Sequence, residues 1–375
     1  MSGWGEEEKT MYNTTVMKKE KILVAMSGGV DSSVSAALLA KEGYDVTGCF
    51  LQCWKETPQC HPDRDRADAL RVAQTLGIPF LSFNFEKEYR KKVIDSFFRE
   101  YKIGRTPNPD VVCNKEIKFG LLLDRAKSLG FTKIATGHYA RVHLTADGTF
   151  RLLTGVDKKK DQSYFLYRLT QGQLQHVLFP VGHLTKSTVR RLAKEFQLPV
   201  ASKEESMGIC FVGEVDIREF LKERISVTPG EVVTLENKVI GTHEGLPFYT
   251  IGQRRGFRVT TYVGYPLYVV AKDVKRNRLI VGRGEKSETD TFPISDPHWM
   301  EENIEEKAND GGLSCDVRIR HLGFIYKGRV KKQKGMRYTV TLKEKAFGVA
   351  PGQSAVFYAK DRVLGGGIIE NHFDT

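Results

Sequence analysis

Four short apolar runs, at 21–26, 45–51, 79–85 and 132–137, alternate with stretches of helical periodicity at 33–43, 64–77, 86–102 and 114–129. Strand–helix alternation of this length predicts an α/β fold, a doubly wound parallel sheet with right-handed crossovers. Ligands of such sheets sit beyond the carboxyl ends of the strands. A further helical stretch at 186–196 extends the same unit. From about Ile217 the texture changes, as Pro229-Gly230, Gly241, Gly245, Gly252 and Gly256 cut the chain into short β-rich pieces. After about Thr289, apolar and polar positions alternate over 314–319, 328–330, 337–342, 354–358 and 363–369, which predicts a small barrel or sandwich. The expected division is a flexible N-terminus at 1–20, a catalytic α/β domain at 21–216, a small middle domain at 217–288 and a C-terminal β-barrel at 289–375.

A chain of 375 residues with 40% hydrophobic content can build packed cores. No apolar run approaches the ~18 residues of a membrane span. The first twenty residues carry Glu6-Glu7-Glu8 and no arginine, so neither a mitochondrial presequence nor a signal-peptide core is legible, and the expected location is the cytoplasm. Six cysteines in such a chain point to thiol chemistry rather than a disulfide scaffold. The formal charge of +12 changes the picture more, because it calls for a polyanionic partner. The excess is concentrated: ten Lys/Arg against Asp316 and Glu344 lie between residues 316 and 345. RNA is the expected partner, ahead of a membrane surface.

The stretch Ala25, Met26, Ser27, Gly28, Gly29, Val30, Asp31, Ser32 joins the first apolar run to the first helical pattern. Consecutive glycines let backbone N–H groups face an anion, and the helix start adds its positive dipole end. Asp31 offers a carboxylate for Mg²⁺ accompanying phosphates. SGGVDS resembles the pyrophosphate loop of the ATP pyrophosphatases, which implies ATP as substrate and that family's version of the parallel sheet.

A second informative segment is Thr106-Pro107-Asn108-Pro109-Asp110-Val111-Val112-Cys113-Asn114. The prolines bar a helix before Asp110 and the pattern after it is helical, so Asp110 is the expected N-cap and Cys113 lies in the first turn. The dipole and Lys115 are expected to lower the Cys113 pKa. Asp110 is placed for proton exchange with the thiol or a nucleobase. Cys210, in Ser206-Met207-Gly208-Ile209-Cys210-Phe211, has Lys203 as a positive neighbour in sequence. Two such cysteines beside a nucleotide loop suggest a sulfur carrier and an attacking thiol. Cys49-x3-Cys53-x6-Cys60 lacks the CxxC pairing of structural zinc, so no permanent metal is expected. Cys315, Trp54 and Trp299 read as packing residues.

SGGVDSS, GRTPNPDxxCNKxIKF (104–119), ATGHYAR (135–141), KDQSYFLY (160–167), LFPVG (178–182), GICF (208–211), GQRRG (252–256), PGQSAVFY (351–358) and LGGGII (364–369) stand in a shared order. With them the chain closely resembles the bacterial tRNA-specific 2-thiouridylases from about Lys21 to Glu370. The resemblance implies a pyrophosphatase-type α/β domain, a small middle domain and a C-terminal β-barrel that binds tRNA. It implies ATP-dependent exchange of the wobble uridine C2 oxygen for sulfur, with release of AMP and pyrophosphate. It gives Ala25 to Ser32, Leu51 and Gly137 to ATP, and Asn108, Pro109 and Asp110 to the target base. Cys113 becomes the nucleophile beside Asp110, and Cys210 the persulfide carrier. His138, Lys160, Asp161, Gln162, Arg320, His321 and Gln353 become tRNA contacts. A cysteine desulfurase or sulfur-carrier protein is implied as donor. Two other readings remain in view: a synthetase of the same ATP pyrophosphatase group acting on a small metabolite, and an RNA-binding protein without catalysis. The first leaves both cysteines and the basic barrel unused; the second leaves the phosphate loop and cysteines unused.

Overall fold

The computed structural model describes residues 19–56, 61–204, 208, 210–213, 216–261, 263–333 and 337–371. All but the last two residues of the N-terminal segment expected to be flexible lie outside this range.

The first sheet is parallel, with strands in the spatial order Phe80–Asn84, Asp45–Gln52, Lys21–Ala25, Lys133–Ala135, Val177–Leu178. Its central strand is fully buried at Ile22, Leu23 and Val24. That continuous burial is what a sheet covered by helices on both faces requires. The four apolar runs are the first four strands; the fifth is two residues long, too short for any periodicity. The helical runs 86–102 and 109–128 each contain a π-helical turn, Arg90–Ile94 and Asn114–Leu121.

A second sheet, of mixed direction, runs Arg258–Val259, Val239–His243, Gly230–Val233, Arg278–Gly282, Tyr268–Asp273. The third sheet closes on itself: six antiparallel strands from Glu288–Trp299 to Arg362–Ile369 form a barrel, sealed by pairing between its first and last strands. Phe292, Val317, Val340 and Phe357 fill its interior. The strand Glu288–Trp299 was not legible, because Pro293 and Pro297 interrupt its pattern. The hairpin Ala140–Leu144/Phe150–Thr154 also escaped the sequence reading. It leaves the α/β region and adds to the barrel sheet, with Leu153 opposite Arg362.

A buried ion pair ties the same two regions together, Arg318 Nη1 to Asp161 Oδ2 at 2.9 Å. The segment before Asn108 is fastened to the barrel too. Arg105 makes two bonds to Glu370 (2.7 and 3.0 Å), and Thr106 N–H donates to the Pro351 carbonyl at 2.8 Å.

Candidate functional site

The phosphate loop lies at the carboxyl end of strand Lys21–Ala25. Gly28 has φ +74°, and a Cβ there would sit 2.4 Å from the Asp65 carbonyl oxygen. Only glycine satisfies both demands. Helix Val30–Lys41 begins three residues earlier than its periodicity indicates, and its N-cap, Gly29, provides no side-chain cap. Ser27 N–H donates to Ser32 Oγ at 3.2 Å, and Ser33 Oγ donates to the Gly29 carbonyl at 2.7 Å. A glycine turn leading into an uncapped twelve-residue helix is a fitting cradle for a phosphate chain. Gly137 closes on it, since a Cβ there would lie 2.6 Å from Ser32 N. Met26 and Val30 are buried supports of the loop, and Ala25 is the last residue of its strand. The Leu51 side chain is also buried, packed with Cys49 and Trp54, so only its backbone can face a nucleotide. Asp31 accepts a bond from Tyr139 Oη at 2.8 Å and pairs with Lys186 Nζ at 2.7 Å. Neither partner was singled out in the sequence; Lys186 opens a helix capped by Thr185, an ordinary signal with nothing pointing to a ligand.

The thiol pair is brought together across 97 residues: Cys113 Sγ lies 3.7 Å from Cys210 Sγ. Three expectations about it are corrected. The cap is Asn108, whose side chain accepts from Val111 N–H, and the helix begins at Pro109, where a missing N–H costs nothing. Asp110, freed from capping, accepts the Cys210 N–H at 3.1 Å. Second, burial pushes the Cys113 thiol up, and its bond to Cys210 adds to the rise. Cys210 is the lowered thiol, at about 7: the bond from Cys113 favours its anion, burial opposes, and the Lys118 charge helps. Third, the cation beside the sulfurs is Lys118. Lys115 pairs with Glu116, and Lys203 is taken up by Asp65 (2.8 Å) and Asp68 (2.6 Å). Burial works against the Lys118 charge, but Cys210 and Cys113 outweigh it and raise its pKa. Positions 113 and 118 would lie about 140° apart on an α-helix. The wider π turn at Asn114–Leu121 draws them toward one face, which is why helical periodicity concealed Lys118. Burial also raises Asp110, against the Cys210 N–H bond and Lys118. Tyr89 Oη donates to the Cys210 carbonyl.

The expected tRNA contacts divide. Asp161 does not face solvent: its side chain is 1% exposed and accepts from Arg318, Gly155 N–H and Ser163 N–H. His138 is buried between Phe119 and Phe179 with Nδ1 2.7 Å from Thr136 Oγ1, and burial holds its pKa well below the usual value. Both are buried and hydrogen-bonded within the protein. Gln162 accepts from Tyr139 N–H at 3.0 Å. Gln353 Nε2 donates to the carbonyls of Thr106 (3.0 Å) and Pro107 (3.2 Å), bracing the Asn108–Pro109 turn. Lys160 is half-buried and Arg320 exposed. His321 stacks on Phe165 with ring centroids 4.3 Å apart, and burial lowers its pKa to about 4. Beside it Phe324 is 78% exposed, a surface aromatic in a stretch between the alternating segments 314–319 and 328–330 that carries no motif.

Cys49 and Cys53 are buried, and Cys60 lies outside the described residues. Among the described residues no three His, Cys, Asp or Glu side chains cluster as metal ligands. No helix among them is long and apolar enough to cross a membrane. Trp54 packs on Tyr89 and Phe220, Trp299 on Phe357, and Cys315 against the barrel core.

Three family descriptions match consecutive parts of the chain: the tRNA methyl transferase HUP domain at 20–214, its PRC-barrel domain at 218–283, and the aminomethyltransferase beta-barrel domain at 289–369. Curated relatives include the tRNA-specific 2-thiouridylase MnmA of Staphylococcus aureus strains RF122 and JH9. Each is 44% identical over 362 residues, covering 95% of this chain and 96% of the relative. Likeness to solved structures is weak. An NMN synthetase from Francisella tularensis has a TM-score of 0.34 at 18% identity, covering 56% of this chain and 79% of that one. A 4-thiouridine synthetase–RNA complex with bound ATP gives 0.33 at 18%, covering 54% and 50%. Full-length identity at this level, over a chain that carries the glycine cradle and the paired thiols, shows that it belongs to the tRNA-specific 2-thiouridylase family.

Proposed function

We propose that the chain is an ATP-dependent tRNA sulfurtransferase that exchanges the C2 oxygen of the wobble uridine for sulfur, with Cys210 carrying the sulfur as a persulfide and Cys113 as nucleophile. The observation that carries this reading is the 3.7 Å approach of Cys113 to Cys210, with Asp110 bonded to the Cys210 backbone.

The Ser27–Ser32 loop and the uncapped helix start hold the triphosphate, and Gly137 and the Leu51 backbone border the adenosine. Asp31 is the carboxylate that suits Mg²⁺ accompanying ATP, with Tyr139 and Lys186 orienting it. The ion supplies charge neutralisation on the departing pyrophosphate. The uridine leaves the anticodon stack to reach the Asn108–Asp110 turn. Its O2 bonds to the α-phosphorus, pyrophosphate leaves, and a poor leaving group becomes AMP. A cysteine desulfurase or sulfur-carrier protein supplies the persulfide. Its terminal sulfur bonds to C2, and Cys113 then attacks Cys210 Sγ. The persulfide S–S bond breaks toward the new thiocarbonyl, AMP departs, and a Cys113–Cys210 disulfide forms for an external thiol to reduce. Asp110, raised by burial, exchanges the proton. The basic barrel holds tRNA chiefly through phosphates, so affinity falls with salt.

Incubation with ATP, a tRNA transcript and a persulfide donor should yield one 2-thiouridine, one AMP and one pyrophosphate per turnover by mass spectrometry. Thiolation at wild-type rate by Cys210→Ser would reject the reading.

A further inference from the structure

The turn Thr250–Gly256 belongs to the middle region and has no part in the chemistry above, yet it is braced by side-chain and backbone bonds along its length. Thr250 N–H donates to Gln253 Oε1 at 3.1 Å, and Gln253 Nε2 donates to the Arg255 carbonyl at 2.7 Å. Gly252 N–H donates to the Val269 carbonyl at 2.8 Å and Val269 N–H to the Gln253 carbonyl at 2.9 Å, so the turn is stitched to the neighbouring strand. Tyr249 Oη donates to the Gly256 carbonyl at 2.7 Å. Gly252 and Gly256 both have left-handed backbone, φ +86° and +100°. A Cβ on Gly252 would meet the Gly348 Cα at 3.0 Å.

What this frame presents is two adjacent cations. Arg254 and Arg255 are exposed, and among the described residues neither pairs with a carboxylate or lies over a ring. Several other arginines of the same region are compensated: Arg218 pairs with Glu244, Arg278 with Glu231, and Arg283 lies over Tyr265. Two consecutive exposed arginines on a fixed turn favour an anion that both can reach. The location names the anion. Thr250 Oγ1 is 3.1 Å from Thr106 Oγ1, two residues before Asn108, and Gly252 rests on Gly348 of the barrel. The turn therefore stands on the seam where the segment leading to Asp110 and Cys113 meets the barrel.

We propose that Thr250–Gly256 is a phosphate clamp, in which Arg254 and Arg255 grip the RNA backbone next to the nucleotide that enters beside Asn108–Asp110. The inference rests on the tRNA reading above. The clamp reads no base; it fixes the register of the strand, as phosphate contacts do.

The test compares wild type, Arg254→Gln/Arg255→Gln and Arg254→Lys/Arg255→Lys for binding of an unmodified tRNA transcript across a salt series, with thiolation kinetics and thermal unfolding alongside. The Gln pair should lower the magnitude of the log K against log salt slope by about 1.4 to 1.8, the loss of two phosphate contacts. It should raise KM for tRNA, with kcat, the alkylation profile of Cys210 and the unfolding midpoint unchanged. The Lys pair, which keeps the charge, should keep the slope. Wild-type binding with an unaltered slope in the Gln pair would overturn the clamp and leave the functional reading intact. A wild-type chain without salt-dependent tRNA affinity would overturn both.

Discussion

The phosphate loop and the thiol pair handle charge in different ways. Around Ser27–Ser32 the charged groups are partly open to solvent and already paired, Asp31 with Lys186 and Lys203 with Asp65 and Asp68. A ligand carrying several charges can enter such a site by exchanging partners, and the loop backbone needs no rearrangement. Around Cys113, which is fully buried, the half-buried Cys210, Asp110 and Lys118 form one group whose protonation states depend on each other. Two thiols 3.7 Å apart are driven in opposite directions by where the shared proton sits and by which sulfur faces Lys118. The loop keeps its charges in exchangeable ion pairs, whereas the thiol pair shares its charge among coupled groups.

The sharpest way to break this contrast is at the thiols. Cys113→Ser and Cys210→Ser should each lower thiolation by roughly a thousandfold or more, since loss of a nucleophile removes the covalent route. ATP/pyrophosphate exchange should survive in both, as exchange belongs to the other site. Next, Arg318→Met leaves the Asp161 carboxylate buried and unpaired, and should cost about 3–5 kcal/mol by denaturant unfolding. Asp31→Ala should reduce ATP/pyrophosphate exchange by roughly 10²–10³-fold, the usual effect of removing one electrostatic element. It should leave Cys210 alkylation unaltered; a shift there would mean that the two sites are one. The smallest effect is on pH. Cys210 is held low, near 7, so its thiolate is present above that pH and lost as pH falls through it. Lys118→Met should move the inflection of Cys210 alkylation upward and slow the rate at pH 7 by roughly tenfold. An unmoved inflection would assign the low value of Cys210 to the bond from Cys113 and not to Lys118.

The parallel sheet was legible because four of its strands are continuous apolar runs and burial on both faces demands them. The phosphate loop was legible because Gly28 answers a steric need that no other residue meets. Its partner Lys186 was not, because a lysine in the first turn of a surface helix looks the same whether or not it meets an aspartate 155 residues earlier. The cysteines were found, but their electrostatics were read from neighbours in sequence: Lys115 and Lys203 proved to be engaged elsewhere. The controlling cation, Lys118, depends on a π turn that no periodicity announces. Asp161 and His138 show the same limit: a motif match carried them over as contacts, and it says nothing of the burial that tertiary packing imposes.

The hairpin 140–154 completes a sheet whose other strands arrive more than 130 residues later. Cutting the chain near residue 289 to isolate the barrel would remove Leu153 from opposite Arg362 and leave that end of the last strand open to wrong pairing, a route to aggregation, while residues 365–369 stay closed on Glu288–Trp299. A useful fragment must be grafted with the hairpin, and an insertion between the two halves should be tolerated only where it leaves that zipper free to close.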